Sequence, residues 1–207
     1  MLCPRPAVGS PLTQALAPMF TLDVLLKKWI PYRLEAVETL RWAWALTEQN
    51  SGADLEVKVN GRPVLTGNVA ALANPMIEAG FIHARALLEF LGLTATKDGK
   101  LSVVVSRRPG DVAVENFSTS AVTLQKATPD TVAAAYPGPR EEAEDSLVAI
   151  FQTSNRWLAH VTDGTTSKEW TDHHIDVALR GIPVLIKNHL YLPLGLDIPK
   201  TQNANGP

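Results

Sequence analysis

The sequence predicts a mainly α fold: an up-and-down helical bundle with a small β-hairpin or short-sheet insertion. Three observations carry this reading. Apolar residues recur at helical spacing over 32–49, 68–91 and 140–162. One short segment, 54–66, alternates with a period of two around an Asn-Gly pair. Apolar residues make up 45% of the 207, against 19% charged, so stripes of this kind can close a core.

The elements follow in order. Residues 1–20 are broken by Pro4, Pro6, Pro11 and Pro18 and read as a flexible arm. Thr21 is placed to cap a short helix through Ile30, which Pro31 ends or restarts. From Tyr32 to Gln49, Leu34, Val37, Leu40, Ala43, Trp44 and Leu46 form one broad stripe, stopped by Asn50-Ser51-Gly52. Leu55, Val57 and Val59 then alternate with Glu56, Lys58 and Asn60, and Asn60-Gly61 makes the turn of a hairpin over 54–66. A lone hairpin is marginal in water, so Leu101–Ser106 is expected to supply a third strand.

Asn68 starts the longest helix, which Pro75 should kink or truly begin and Gly92 should end. Ile77, Gly80, Phe81, Ala84, Leu87, Leu88 and Leu91 share its apolar face. Residues 118–139 read as loop, with one short helix capped by Thr128 and begun by Pro129. The helix from Arg140 to Thr162 crowds Glu141, Glu142, Glu144 and Asp145 into its first turns, where the helix dipole favours negative charge. Thr171 caps a last helix, which Pro183 should kink or end. Val184–Ile186 and Leu190–Leu192 are expected to be extended, and 200–207 a disordered tail. Residues 21–199 thus form one helical domain with the hairpin inserted.

Composition excludes several classes. Nineteen Lys and Arg against 21 Asp and Glu leave a formal charge of -2, so no bulk attraction to nucleic acid or anionic lipid is expected. Cys3 is the single cysteine, which excludes a disulfide framework or a Cys-rich zinc site within one chain. No apolar run reaches the roughly 18 residues that span a bilayer, so no membrane contact and a cytoplasmic location are expected. No phosphate-binding glycine loop and no Gly-x-Ser-x-Gly nucleophile elbow is present. No cofactor is implied.

Two helices carry the polar groups most suited to chemistry. On the 68–91 helix, Arg85, Glu78 and Glu89 fall on one flank of the stripe and His83 on the other. An Arg85–Glu89 ion pair and a hydrogen-bonded boundary histidine are the plain readings; a ligand site including His83 and Arg85 is the functional one. On the 140–162 helix, Arg156 and His160 are four apart and share a face. An Arg beside a His can hold a phosphate or oxyanion while the His moves a proton. The plain alternative is a solvated or inter-subunit polar face. Asp172, His173, His174 and Asp176 lack the spacing of a metal motif, so no metal is predicted, and Asp172 suits the first turn of a helix. Arg107-Arg108-Pro109-Gly110 is a basic turn that reads as ordinary solvated surface.

Three stretches carry a resemblance: Phe81-Ile82-His83-Ala84-Arg85-Ala86-Leu87-Leu88-Glu89-Phe90-Leu91, Arg108-Pro109-Gly110-Asp111-Val112-Ala113-Val114-Glu115-Asn116-Phe117, and Leu158-Ala159-His160-Val161-Thr162. Over roughly residues 70–185 the chain resembles a group of uncharacterised bacterial helical proteins. That group is similar in turn to the HEPN superfamily of helical bundles, several of which are ribonucleases or nucleotide-associated proteins. The HEPN motif is an Arg, four to six residues, then a His. Here three residues separate Arg156 from His160, and Trp157 stands where a polar residue usually follows the Arg. The resemblance implies the bundle and a dimer more directly than it implies catalysis.

The expected function is action through protein contacts, as a homodimeric accessory module or with a protein partner. Trp29, Trp42 and Trp44, close together near the first helices, are either interface anchors or core filling. The alternative is a HEPN-type, metal-independent ribonuclease or nucleotide-binding protein. In it His160 is the acid–base group, Arg156 the phosphate stabiliser, and His83 completes the pocket; the net charge gives RNA binding no support, and a third reading is a small-ligand site between the helices lined by His83, Arg85 and His160.

Overall fold

The computed structural model describes residues 21–156 and 170–199. The N-terminal arm, His160 and the 200–207 tail lie outside the described residues. The order is α1 (Leu22–Val24), α2 (Ile30–Gln49), β1 (Asp54–Val59), β2 (Arg62–Asn68), α3 (Val69–Phe90), β3 (Leu93–Ala95), β4 (Leu101–Val103), α4 (Pro129–Ala135), α5 (Arg140–Arg156) and α6 (Asp172–Ile186). The fold is mainly α, with two small antiparallel two-stranded sheets.

Local chemistry sets several of these boundaries. Thr21 Oγ1 accepts from the Val24 amide at 3.3 Å, and Asn68 Oδ1 from the Ala71 amide at 3.0 Å, each satisfying an amide that a helix start leaves free. Thr128 and Thr131 cap α4 reciprocally, at 3.2 and 2.9 Å. Asn60 and Gly61 close the β1–β2 hairpin with φ of 51° and 77°, the left-handed pair that a tight two-residue turn needs. Pro75 stands inside α3 without starting it.

A wide π-helical turn, Leu25–Trp29, joins α1 to α2. Ile30 donates to the Leu25 carbonyl, but the next residue, Pro31, has no N–H to offer the Leu26 carbonyl. The Tyr191 hydroxyl fills that place at 3.0 Å, from a second π-helical turn at Lys187–Tyr191. Burial pushes the Tyr191 phenol up to about 12.

The core gathers the stripes of α2, α3, α5 and α6, with Leu40, Leu87, Leu88, Ile150, Leu179, Ile182 and Ile186 wholly or nearly sealed from solvent. Removing each such side chain from water stabilises the fold by about 1.5–3 kcal/mol. Helices α2 and α3 run antiparallel and very close, because buried Gly80 leaves room for Leu40 and the Ala36 carbonyl. A smaller cluster of Ala43, Val69 and Ala73 receives Leu55 and so anchors the base of the hairpin.

Two expectations are corrected. Leu101–Val103 does not join the β1–β2 hairpin; it pairs with Leu93–Ala95 in a separate sheet. Gly92, at φ 91°, turns the chain straight from α3 into β3, and the nearby hairpin partner wins over the distant one. Residues 184–192 are not extended. α6 passes through Pro183 to Ile186, and the π-helical turn continues to Tyr191. Leu185, Ile186, Leu190 and Tyr191 thereby all reach the core. Losing one backbone hydrogen bond at a proline is offset by burying four large side chains.

The Arg107–Gly110 segment also differs from a plain solvated turn. Arg107 is largely buried, donates to the Glu89 carbonyl at 2.7 Å and pairs with Glu115 at 3.3 Å. It adds a second donor to a carbonyl at the C-terminal end of α3 that the Gly92 amide also reaches at 3.0 Å, a structural role.

Candidate functional site

His83 sits on α3 against the start of α2. Arg33 Nη1 donates to His83 Nδ1 at 3.0 Å. A guanidinium has only donors, so the neutral ring keeps its proton on Nε2. Desolvation, then the Arg33 charge, hold His83 below the usual histidine range; burial lowers Arg33 too. Tyr32 meets the imidazole edge-on at 5.1 Å between centroids.

Arg85 lies on the other flank of α3. It donates to Glu89 at 2.8 Å and to the side-chain oxygen of Asn155 on α5. Asn155 directly precedes Arg156, so Arg85 is tied to the stretch of α5 that carries Arg156. His83 and Arg85 therefore engage different helices, α2 and α5. Nothing is described of the Arg156 side chain or of His160.

The Asp172–Asp176 segment behaves in three ways. Asp172 takes the first turn of α6. His174 contacts Thr171 at 2.7 Å. His173 reaches back 31 residues to Glu142, Nε2 to Oε1 at 2.6 Å, and the other Glu142 oxygen accepts from the Tyr136 hydroxyl. These hydrogen bonds hold Glu142 below the usual carboxylate range and push the Tyr136 phenol up. The chain Tyr136–Glu142–His173 ties the end of α4 to α5 and α6. Among the described residues, no group of three or more His, Cys, Asp or Glu side chains could hold a metal ion.

The strongest concentration of recognition chemistry is a groove to which the sequence points only through Trp44, one of the candidate interface anchors. A cavity of about 330 Å³ is walled by Trp44 from α2, Phe81 and Glu78 from α3, and Trp170 and Asp172 at the start of α6. Trp44 packs edge-on against Phe81 at 6.1 Å. Its indole N–H is held by Glu48 at 3.2 Å, and that of Trp170 by Gln152 at 3.2 Å. Each ring is thus tethered through its indole N–H. Glu78 and Asp172 have no hydrogen-bond or ion-pair partner among the described residues. A second cavity of about 350 Å³ adjoins the first at Trp44 and Asp172, and adds Glu48 and Asp176 against Arg41 and His173. Arg41 is already held, by Glu38 at 3.2 Å and more loosely by Asp176 at 3.9 Å.

An apolar cleft of about 300 Å³ between α4, α5 and α6 offers less chemistry. Its polar groups are spoken for: Arg180 by Asp176 at 2.6 Å, and Tyr136 by Glu142. The Trp44 groove keeps uncommitted charge beside aromatic faces.

Among the described residues, no helix is long and apolar enough to cross a membrane. No protein-family model, curated protein or solved structure matches the chain.

Proposed function

We propose that the chain acts through protein contacts, and that a cationic side chain of the partner enters the Trp44–Trp170 groove. One observation carries this reading: Glu78 and Asp172, both without partners among the described residues, flank a cavity walled by two tethered tryptophans. A Lys or Arg head there gains a cation–π contact of about 0.5–2 kcal/mol as well as charge pairing. The tethered rings lose little freedom on binding, so more of that gain reaches the affinity.

The test titrates a short Lys/Arg-rich peptide into the full chain, followed by tryptophan fluorescence and calorimetry. A Glu-rich peptide of equal length is the control. The basic peptide should bind, with affinity falling as salt rises. The double variant Glu78→Gln/Asp172→Asn keeps both side-chain shapes and should bind roughly tenfold more weakly, a loss of ~1.4 kcal/mol. Equal binding of both peptides, or an unchanged affinity in the double variant, would overturn the proposal. RNA cleavage that is lost in a folded His160→Ala protein would replace it with the ribonuclease reading.

A further inference from the structure

The β1–β2 hairpin stands apart from the bundle. Leu55 is anchored in the small apolar cluster, whereas Val59 and Val64 near the tip are 56% and 61% exposed. Among the described residues, the two strands pair only with each other. Each therefore presents one outer edge, and the two edges are unlike.

In a two-residue hairpin the closing pair, here Val59 and Arg62, exchanges both backbone hydrogen bonds. Alternation along the regular strand β1 then aims the backbone groups of Val59, Val57 and Leu55 at β2. Those of Lys58, Glu56 and Asp54 face outward. On β2 the outward position opposite Lys58 is Pro63, which has no N–H to give. The register also slips between Val57 and Lys58, leaving Val64 as an extra, bulged residue on β2. A proline and a bulge are two of the devices that blunt a sheet edge. β2 carries both; β1 carries neither, and its guard is charge alone, at Asp54, Glu56 and Lys58. Among the described residues, Asp54–Val59 makes no backbone hydrogen bond outside the hairpin.

The sequence of β1 is complementary to itself. When two copies pair antiparallel about a two-fold axis at Val57, Glu56 falls opposite Lys58 of the second copy and Lys58 opposite its Glu56. Leu55 falls opposite Val59 on the other face. Glu56 and Lys58 are also the residues whose backbone groups face outward, so both cross-pairs exchange hydrogen bonds, about four in all. Within one chain Lys58 Nζ already lies 2.5 Å from Glu56 Oε2, with both side chains about half exposed. A register shift of one residue would set the charged face against the apolar one.

We propose that β1 is a homodimerisation edge, joining two hairpins into a four-stranded antiparallel sheet. Its occupant is a second copy of this chain, chosen by the Glu56–Lys58 complementarity. The surface shares no residue with the Trp44 groove, so either proposal can fail alone.

The test is a charge swap on the full-length chain, followed by sedimentation velocity across a concentration series, with circular dichroism to confirm folding. Wild type should show a concentration-dependent dimer. Glu56→Lys alone and Lys58→Glu alone each place like charges opposite in both cross-pairs, and should weaken the dimer roughly tenfold to a hundredfold. Mixing the two single variants restores opposite charges and should give a heterodimer near wild-type strength. The double variant Glu56→Lys/Lys58→Glu should self-associate again. A wild type that stays monomeric throughout the series, or single variants that dimerise as wild type does, would overturn the proposal. So would a mixture that fails to recover association.

Discussion

Gly80 tests the packing that positions both α2 and α3. A Cβ placed on Gly80 would stand 2.3 Å from the Leu40 Cβ, 3.0 Å from the Ala36 carbonyl oxygen and 3.2 Å from Leu40 Cδ2. Carbon atoms rest about 3.5–4.0 Å apart. Gly80→Ala therefore demands a separation of well over an ångström between two backbone-anchored atoms, which no side-chain rotation supplies. Leu40 is sealed in the core, so the strain must move one helix against the other. Overpacking of this kind costs about 1–3 kcal/mol or more, against a gain of about 1 kcal/mol from replacing glycine within a helix. A net loss of ~2 kcal/mol lowers Tm by about 4–8 °C in a chain of this size. Gly181 in α6 supplies the matched control, because a Cβ there meets nothing within 4 Å. Gly181→Ala should collect the helix-propensity gain alone and raise Tm by about 2–4 °C. Calorimetric melting of the two variants beside wild type reads both signs. A Gly80→Ala protein that melts at or above wild type, with Gly181→Ala stabilised as expected, would refute the close-contact reasoning.

Two further predictions follow from the same geometry. His83 binds its proton more weakly when folded than when unfolded, so below about pH 6.5 the unfolded chain takes up protons first and stability falls with the pH; above that value both states are neutral and the effect vanishes. His189, also lowered by burial, acts in the same window, so urea midpoints should decline between about pH 7.5 and 5.5, and His83→Gln should remove part of the slope; an unchanged slope would sink the assignment. The buried hydroxyls of α5 should separate in sign: Ser154 Oγ donates within the core, lying 2.7 Å from the Ile150 carbonyl and 3.2 Å from that of Phe81, whereas Ser146 Oγ has no partner among the described residues. By urea unfolding, Ser154→Ala should cost about 1 kcal/mol and Ser146→Ala should be neutral or stabilising, and the reverse order would contradict the hydrogen-bond pattern.

The helices were legible because their signals are local. The stripe from Leu34 to Ala43 is the buried face of α2, and Asn68 and Thr128 cap the helices they were expected to cap. The Asn60-Gly61 turn set the hairpin, whose second strand runs on to Asn68. Reading failed where a proline or a short apolar run left local preference undecided. Val184–Leu192 looks extended in isolation, and only the burial of Ile186, Leu190 and Tyr191 keeps it helical. The three-residue strand Leu93–Ala95 has too little pattern to stand out.

The site was harder for a different reason. His83, Arg85, Arg156 and His160 stand out in the sequence by residue type and spacing, each beside a plain local explanation. Each member of the Trp44 groove has such an explanation: Trp44 belongs to a stripe, Glu78 to a polar flank, Asp172 to a helix start. Trp44 and Trp170 lie on elements more than a hundred residues apart, and no spacing rule relates them. What marks them is joint and spatial: two rings tethered through their indole N–H groups, and two carboxylates beside them with no ion-pair partner among the described residues. The hairpin edge is the converse case. Its Glu56–Lys58 alternation is visible in the sequence as the polar half of a strand pattern. It acquires a meaning only beside Pro63 and the bulge at Val64, which obstruct the backbone of β2 and leave that of β1 regular.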